Sequence, residues 1–256
     1  MPEIDLGAKA DQFLSRLRGV RRAAFAPPSR MPCDEWADTY RRVPAGAGSL
    51  PGPWSTAAVE VARGPMRAIT ERGVNRVSGV ASAQIFKTST CETVIGRFMH
   101  LEPCPMLIFE PTEDTAEGLD AEKVEPMIRA TPELAGLFGG RDALSKQNPN
   151  FVQFKKVFPG GYLRVFTAGS VSNLGMRSVR VVMFDELDKI EPTRDGDALK
   201  LGEERLKRYK PNDLSIAMST PTVTGRSRIM RRYEQSDQRK PYVTCQACGD
   251  QHVMEW

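Results

Sequence analysis

The chain has 256 residues, of which 40% are hydrophobic and 27% charged, enough to bury a substantial core within ordinary globular limits. No apolar run approaches the roughly 20 residues of a membrane-spanning helix, and the first residues lack the basic-then-apolar order of a secretory signal. An odd count of five cysteines argues against a secreted disulfide scaffold, so a cytoplasmic location with no membrane partner is expected. The net charge of +4 is unevenly spread: Lys200 to Lys240 holds 11 Lys and Arg against 5 Asp and Glu, leaving the remainder slightly acidic. Such a segment suits a phosphate-rich partner, although a solvated helix face explains many such runs.

Residues 1 to about 50 read as an irregular and helical extension. A short basic amphipathic stretch, Phe13 to Arg18, gives way to Ala26-Pro27-Pro28 and then to a helix candidate from Asp34 to Arg42. Gly and Pro cluster from Pro44 to Pro53, which predicts a loop. From about Trp54 strands and helices alternate. Strands are predicted at Arg76–Ala81, Met106–Glu110, Leu163–Thr167, Arg180–Phe184 and Leu214–Ser219. Between them, Cys91, Val94, Ile95, Phe98 and Met99 fall on one helical face, and Leu199, Gly202, Leu206 and Tyr209 align similarly. A helix over Thr115–Arg129 should end or kink at Pro126. This alternation predicts an α/β fold with a mostly parallel central sheet flanked by helices.

The chemistry concentrates at three strand ends. Val181-Val182-Met183-Phe184 is the continuous apolar run of a strand buried on both faces, and it delivers Asp185 and Glu186 to the sheet edge where open α/β sheets place ligands. There Asp185 would sit near Mg²⁺, often through water, and Glu186 would orient the attacking water of a nucleotide hydrolysis. A strand followed by an acidic helix cap is the plainer alternative. Earlier, Ser82-Ala83-Gln84-Ile85-Phe86-Lys87-Thr88 follows a strand and opens an amphipathic helix, the context of a phosphate-binding loop. Helix amides would face phosphate, Lys87 would reach the β- and γ-phosphates, and the Thr88 hydroxyl would ligate Mg²⁺. The usual loop carries glycines where this one has Ala81 and Phe86, which puts its curl around phosphate in question. Finally, Ser219 and Thr220, before Pro221, end the last predicted strand, where small hydroxyls can sense the γ-phosphate.

Cys33, Cys91 and Cys104 are isolated, and Cys91 falls on an apolar helix face, as a core residue would. Cys245 and Cys248 form a C-x-x-C pair with His252 nearby, short of the four ligands of a structural zinc site. They read as one half of a zinc knuckle, able to hold Zn²⁺ firmly only with the other half present.

Taken in order, these segments resemble the large subunit of phage terminases, in particular the lambda-like group. The similarity runs from about Met31 to Trp256. It is carried by Glu35-Trp36-Ala37-Asp38, Ser82 to Thr88, Phe184-Asp185-Glu186-Leu187-Asp188, Asp195-Gly196-Asp197-Ala198, Ser219-Thr220-Pro221-Thr222, Ser236-Asp237-Gln238-Arg239 and Cys245-Gln246-Ala247-Cys248-Gly249. The resemblance implies a RecA-like P-loop NTPase, a Mg²⁺-dependent ATPase that translocates double-stranded DNA into procapsids. It implies Lys87 and Glu186 as catalytic residues, Ser82, Ala83, Gln84, Ile85, Phe86, Lys87 and Thr88 as the nucleotide loop, Thr88 and Asp185 at the metal, and Ser219 and Thr220 as the coupling segment. Its partners would be DNA, a small terminase subunit and the portal of the procapsid, with a homo-oligomeric ring as the active form.

Two departures stand out. Ala81 replaces a basic residue at the loop's start, with Arg72, Arg76 and Arg177 as candidate substitutes, and Trp54 lies near the adenine-contacting segment of the family. The nuclease domain with its acidic metal ligands is expected to be missing, so residues 51–240 read as the ATPase domain and 241–256 as the start of a linker. An inactive remnant that only binds DNA or partners is one competing reading. Another nucleic-acid-dependent ATPase, such as a helicase or remodeller, is the second.

Overall fold

A computed structural model describes Leu14 and residues 29–46, 51–145, 147–167, 177–192, 196–223, 225–245 and 247–253. The stretch Phe13–Arg18 apart from Leu14, together with Asp195, Gln246 and Trp256, lies outside the described residues. Residues 31–256 form one compact unit and residues 1–30 another; all that follows concerns the larger unit.

Its elements, in order, are helix α1 (Cys33–Tyr40), the short strands β1 (Arg42–Val43) and β2 (Gly52–Pro53), helix α2 (Arg63–Thr70), strand β3 (Arg76–Val80), helix α3 (Lys87–Leu101) and strand β4 (Pro105–Glu110). Helices α4 (Glu113–Glu117), α5 (Glu125–Ala130) and α6 (Pro132–Gly136) follow, then strands β5 (Phe151–Val152), β6 (Lys155–Phe158), β7 (Gly161–Thr167) and β8 (Val181–Asp185). The chain continues through helix α7 (Ala198–Glu204), strand β9 (Leu214–Ser219), helix α8 (Arg228–Glu234) and the strands β10 (Tyr242–Thr244) and β11 (Gln251–Val253).

Seven strands form the central sheet in the order β3-β9-β8-β4-β7-β6-β5. The first five run parallel, and β6 and β5 extend the sheet antiparallel. Every residue of β8 and β9 is buried, and five of the six in β4 are. Helices cover both faces of these strands, which is why their sequences run apolar without alternation. By contrast β3, on the sheet edge, alternates buried positions with exposed or half-buried ones. The short β5–β6 extension is pinned by Lys156, fully buried, which donates to Asp120 Oδ2 at 2.8 Å and to Glu125 Oε1 at 3.1 Å.

The predicted apolar face of α3 is buried throughout, and so are Glu92, Thr93, Gly96 and Arg97 on its other sides. Helix α1 lies against it. Trp36 reaches Gly96, whose missing Cβ would fall 2.2 Å from the indole, and its Nε1–H donates to His100 Nδ1 at 3.1 Å. Arg41, buried at the end of α1, donates to Glu92, to Ser89 O and to Thr93 Oγ1. Thus Trp36 and Arg41 brace the helix that carries Lys87 and Thr88. The helix predicted at Thr115–Arg129 breaks into α4, a π turn over Gly118–Val124 and α5, with Pro126 in the first turn of α5. Proline lacks the N–H of an ordinary i→i−4 bond, and the irregular turn stands where that bond would be.

Candidate functional site

Parallel register makes the strand ends level. Val80 pairs with Ser219, Asp185 with Met218, and Phe109 with Phe184, so the loop after β3, the acidic pair after β8, the hydroxyls after β9 and Glu110 at the end of β4 share one edge. The insertion of β9 between β3 and β8 decides this grouping. Ala81 N extends the ladder by donating to Ser219 O at 3.2 Å.

From Ala81 the chain turns away through Ser82–Phe86 and enters α3 at Lys87. The positive φ that the turn demands falls on Gln84 (58°), whereas Phe86 keeps a negative φ of −147°. Phe86 is 9% exposed and belongs to the core. The missing glycines are thereby accounted for: the left-handed residue sits two places earlier, and the phenyl ring anchors the loop. A helix start leaves its first four N–H groups without intrahelical partners, and its dipole favours an anion there.

Lys87 is 4% exposed although cationic. Its Nζ donates to Ser82 O at 2.6 Å and Thr220 Oγ1 at 2.8 Å, and lies 3.3 Å from Glu186 Oε1. Thr88 Oγ1 donates to Asp185 Oδ2 at 2.7 Å, and Asp185 Oδ1 accepts the Glu186 amide at 3.0 Å. Burial raises the Asp185 carboxyl above its ordinary range, against the Thr88 hydrogen bond, with Glu186 adding repulsion. Glu186 stands in the left-handed region (φ 50°, ψ 48°) and heads the turn Leu187–Lys189. One hydroxyl and one carboxylate in contact suit Mg²⁺, which takes few protein oxygens beside phosphates and water. Among the described residues no cluster of three or more His, Cys, Asp and Glu could cage a metal, and a Mg²⁺ carried by a nucleotide needs none.

The two hydroxyls after β9 divide their contacts. Thr220 holds Lys87, whereas Ser219 Oγ accepts the Asp188 amide at 3.1 Å and donates to Thr220 O at 3.0 Å. Asp188 in turn accepts from Thr222 N at 3.1 Å, Arg228 N at 2.8 Å and Ile229 N at 2.9 Å. The acidic segment, the coupling candidates and the start of α8 are therefore one hydrogen-bonded unit.

A cleft of about 640 Å³ opens in front of the loop. Ala83–Ser89, Glu186, Lys123 and Lys189 line one end, and Arg41, Val43, Trp54, Ser55 and Val59 the other. Trp54 is half-buried, with the Arg41 guanidinium 4.1 Å from its ring centroid. A family model described as "Phage terminase large subunit gpA, ATPase domain" matches residues 48–256. The chain belongs to this family. Over 229 residues it is 28% identical to the terminase large subunit of Enterobacteria phage P21, covering 87% of the chain and 34% of that protein. The large terminase of bacteriophage HK97 superimposes with a TM-score of 0.58 at 11% identity, covering 82% of this chain and 41% of that one. The fold is thus the RecA-like α/β fold of terminase ATPase domains, and the chain spans about a third of its P21 relative.

Several expectations for a terminase ATPase domain need correction. Arg72 and Arg177 precede strands and Arg76 is the first residue of β3, so all three lie toward the sheet edge opposite the site. Arg76 pairs there with Glu203 at 3.4 Å. Besides Lys87, the cations that line the cleft are Lys123, Lys189 and Arg41. Nor does the Lys200–Lys240 run form a single patch. Arg228 is tied to Asp197, Arg232 to Glu203, Arg239 to Glu71 and the exposed Lys207 to Glu204, whereas Arg208, Lys210, Arg226 and Arg231 are exposed. Glu110 was not singled out from the sequence. It is 4% exposed, its Oε1 has no hydrogen-bond partner among the described residues, and burial with repulsion from Asp185 pushes it up to about 9.

Cys33, Cys91 and Cys104 are buried free thiols. Cys245 and Cys248 share the turn of the β10–β11 hairpin, where Gly249 takes φ 75° and its amide donates to Cys245 O at 2.9 Å. The amides of Cys248 and Ala247 lower the Cys245 thiol below its ordinary range. Among the described residues no third metal-binding side chain joins them, His252 included.

Proposed function

We propose that the chain hydrolyses Mg²⁺-ATP to drive double-stranded DNA into a procapsid. The observation that carries this reading is the meeting of Lys87, Thr88, Asp185, Glu186 and Thr220 at one sheet edge beside a cleft of nucleotide size. The contacts of Lys87 with Ser82 O and Glu186 hold the places that phosphate oxygens would take. Arrival of the β- and γ-phosphates draws Lys87 outward and frees Glu186 to orient and polarise water in line with the γ-phosphate. Thr88 and Asp185 would hold Mg²⁺, which when bound neutralises charge developing on the phosphoryl oxygens. As Lys87 moves, Thr220 loses its partner, and Ser219 passes the change to Asp188 and the start of α8. The exposed Lys207, Arg208, Lys210, Arg226 and Arg231 contact DNA phosphates without reading bases, as a motor indifferent to sequence requires.

In this reading residues 51–240 form the ATPase domain, and the Cys245–Cys248 hairpin is a half-site that takes Zn²⁺ once two further ligands join it. A small terminase subunit and the portal are the partners, and the active form is a ring in the host cytoplasm. DNA-stimulated ATPase measurements test it. Glu186→Gln should still bind Mg²⁺-ATP while losing about 10²–10⁴-fold in turnover, the usual worth of a general base. Wild-type turnover in that variant would remove Glu186 from its role. A wild type that binds DNA but never turns over ATP would leave a binding module.

A further inference from the structure

Glu186 stands between two lysines. Lys87 Nζ lies 3.3 Å from Oε1 and Lys189 Nζ 3.6 Å from Oε2. The second oxygen has no hydrogen-bond partner among the described residues, and the Lys189 ammonium stands against it as an ion pair. The two lysines differ in what happens next. Lys87 is the group that phosphate would draw away, and a carboxylate held by it alone would lose its orientation when needed.

We infer that Lys189 is a positioning residue that keeps Glu186 aimed once Lys87 has gone to the phosphates; this rests on the hydrolytic reading of Glu186. Its mount is built for constancy. Lys189 N donates to Glu186 O at 2.8 Å, closing the turn that brings the two side chains to one side. Leu187 within that turn and Ile190 just after it are fully buried. Asp188 between them is fixed by Ser219, Thr222 and the amides at the start of α8. Only the Lys189 side chain remains free to follow the carboxylate, 59% exposed at the cleft wall. A long flexible ammonium is suited to tracking a carboxylate as a point charge.

The alternative use of a lysine here is a direct γ-phosphate contact, and the two roles separate kinetically. Lys189→Met and Lys189→Arg would be compared with wild type for DNA-stimulated turnover and for affinity toward a non-hydrolysable ATP analogue with Mg²⁺. Positioning predicts a fall in kcat on the order of tenfold in the methionine variant, with KM and analogue affinity within about twofold, because only transition-state geometry suffers. Arginine should restore most of the rate. Unchanged kcat in Lys189→Met, a failure of arginine to rescue, or a marked loss of analogue affinity would each overturn the inference. Should wild type itself lack turnover, the hydrolytic reading fails first. An active wild type with an unaffected methionine variant refutes the role of Lys189 alone.

Discussion

Gly96→Ala should destabilise the protein even though alanine is the better helix former. In a helix interior the exchange is worth about 1 kcal/mol in favour of alanine. Against this, the new Cβ would fall 2.2 Å from Cη2, 2.8 Å from Cζ3 and 3.1 Å from Cζ2 of Trp36. Trp36 cannot easily retreat, since it is fully buried and its Nε1–H is held by His100. Overpacking of a filled core costs about 1–3 kcal/mol and occasionally more, and a contact to three ring atoms belongs at or above the upper end. The net loss is then about 2 kcal/mol. For a unit of this size each kcal/mol moves the melting point by roughly 2–4 °C, so a fall of about 4–8 °C is expected. Thermal unfolding followed by circular dichroism measures it. Combining Gly96→Ala with Trp36→Leu makes room for the methyl, so the two costs should be non-additive by about 1 kcal/mol or more. A Gly96→Ala melting point at or above wild type would show that α1 is not wedged on α3 as described.

Two further outcomes follow from buried charges. Lys156→Met should cost about 3–5 kcal/mol by stranding the Asp120 carboxylate, which is 1% exposed. Adding Asp120→Asn should recover part of that loss in urea titrations, and strictly additive costs would contradict the pairing. The Glu110 carboxyl, pushed up to about 9 by burial with help from Asp185 and Glu186, keeps a proton that the unfolded chain releases near 4.5. Its contribution is fully present below the unfolded value and is lost as pH rises through the folded one, so stability should decline between about pH 5 and 9. Glu110→Gln should flatten that decline in melting curves, and an unchanged slope would show that another group is responsible.

The parallel strands were legible because burial on both faces imposes an unbroken apolar run, as in Val181–Phe184. The antiparallel strands β5 and β6 were not, since they are short, lie at the sheet edge and include the buried Lys156, whose partners Asp120 and Glu125 are remote in sequence. The candidate phosphate loop was legible as a strand-to-helix transition with Lys87 and Thr88. Its departure from the glycine pattern became intelligible only when the left-handed residue proved to be Gln84. Glu110 ends a strand that periodicity located correctly. Nothing in its neighbourhood along the chain, however, reveals that β4 lies beside β8.

By itself the sequence determined the α/β class, the order of the strand ends proposed to carry chemistry and the resemblance to the family, because these depend on local periodicity and on segments read in order. The tertiary structure decided which ends meet. Inserting β9 between β3 and β8 brings Thr220 to Lys87, and the turn after β8 folds Lys189 back onto Glu186. It also moved Arg76, Arg228 and Arg232 out of the roles that charge alone suggested, by pairing each with a carboxylate far away in sequence. Such pairings are fixed by sheet order and packing, and neither is a property of any single segment.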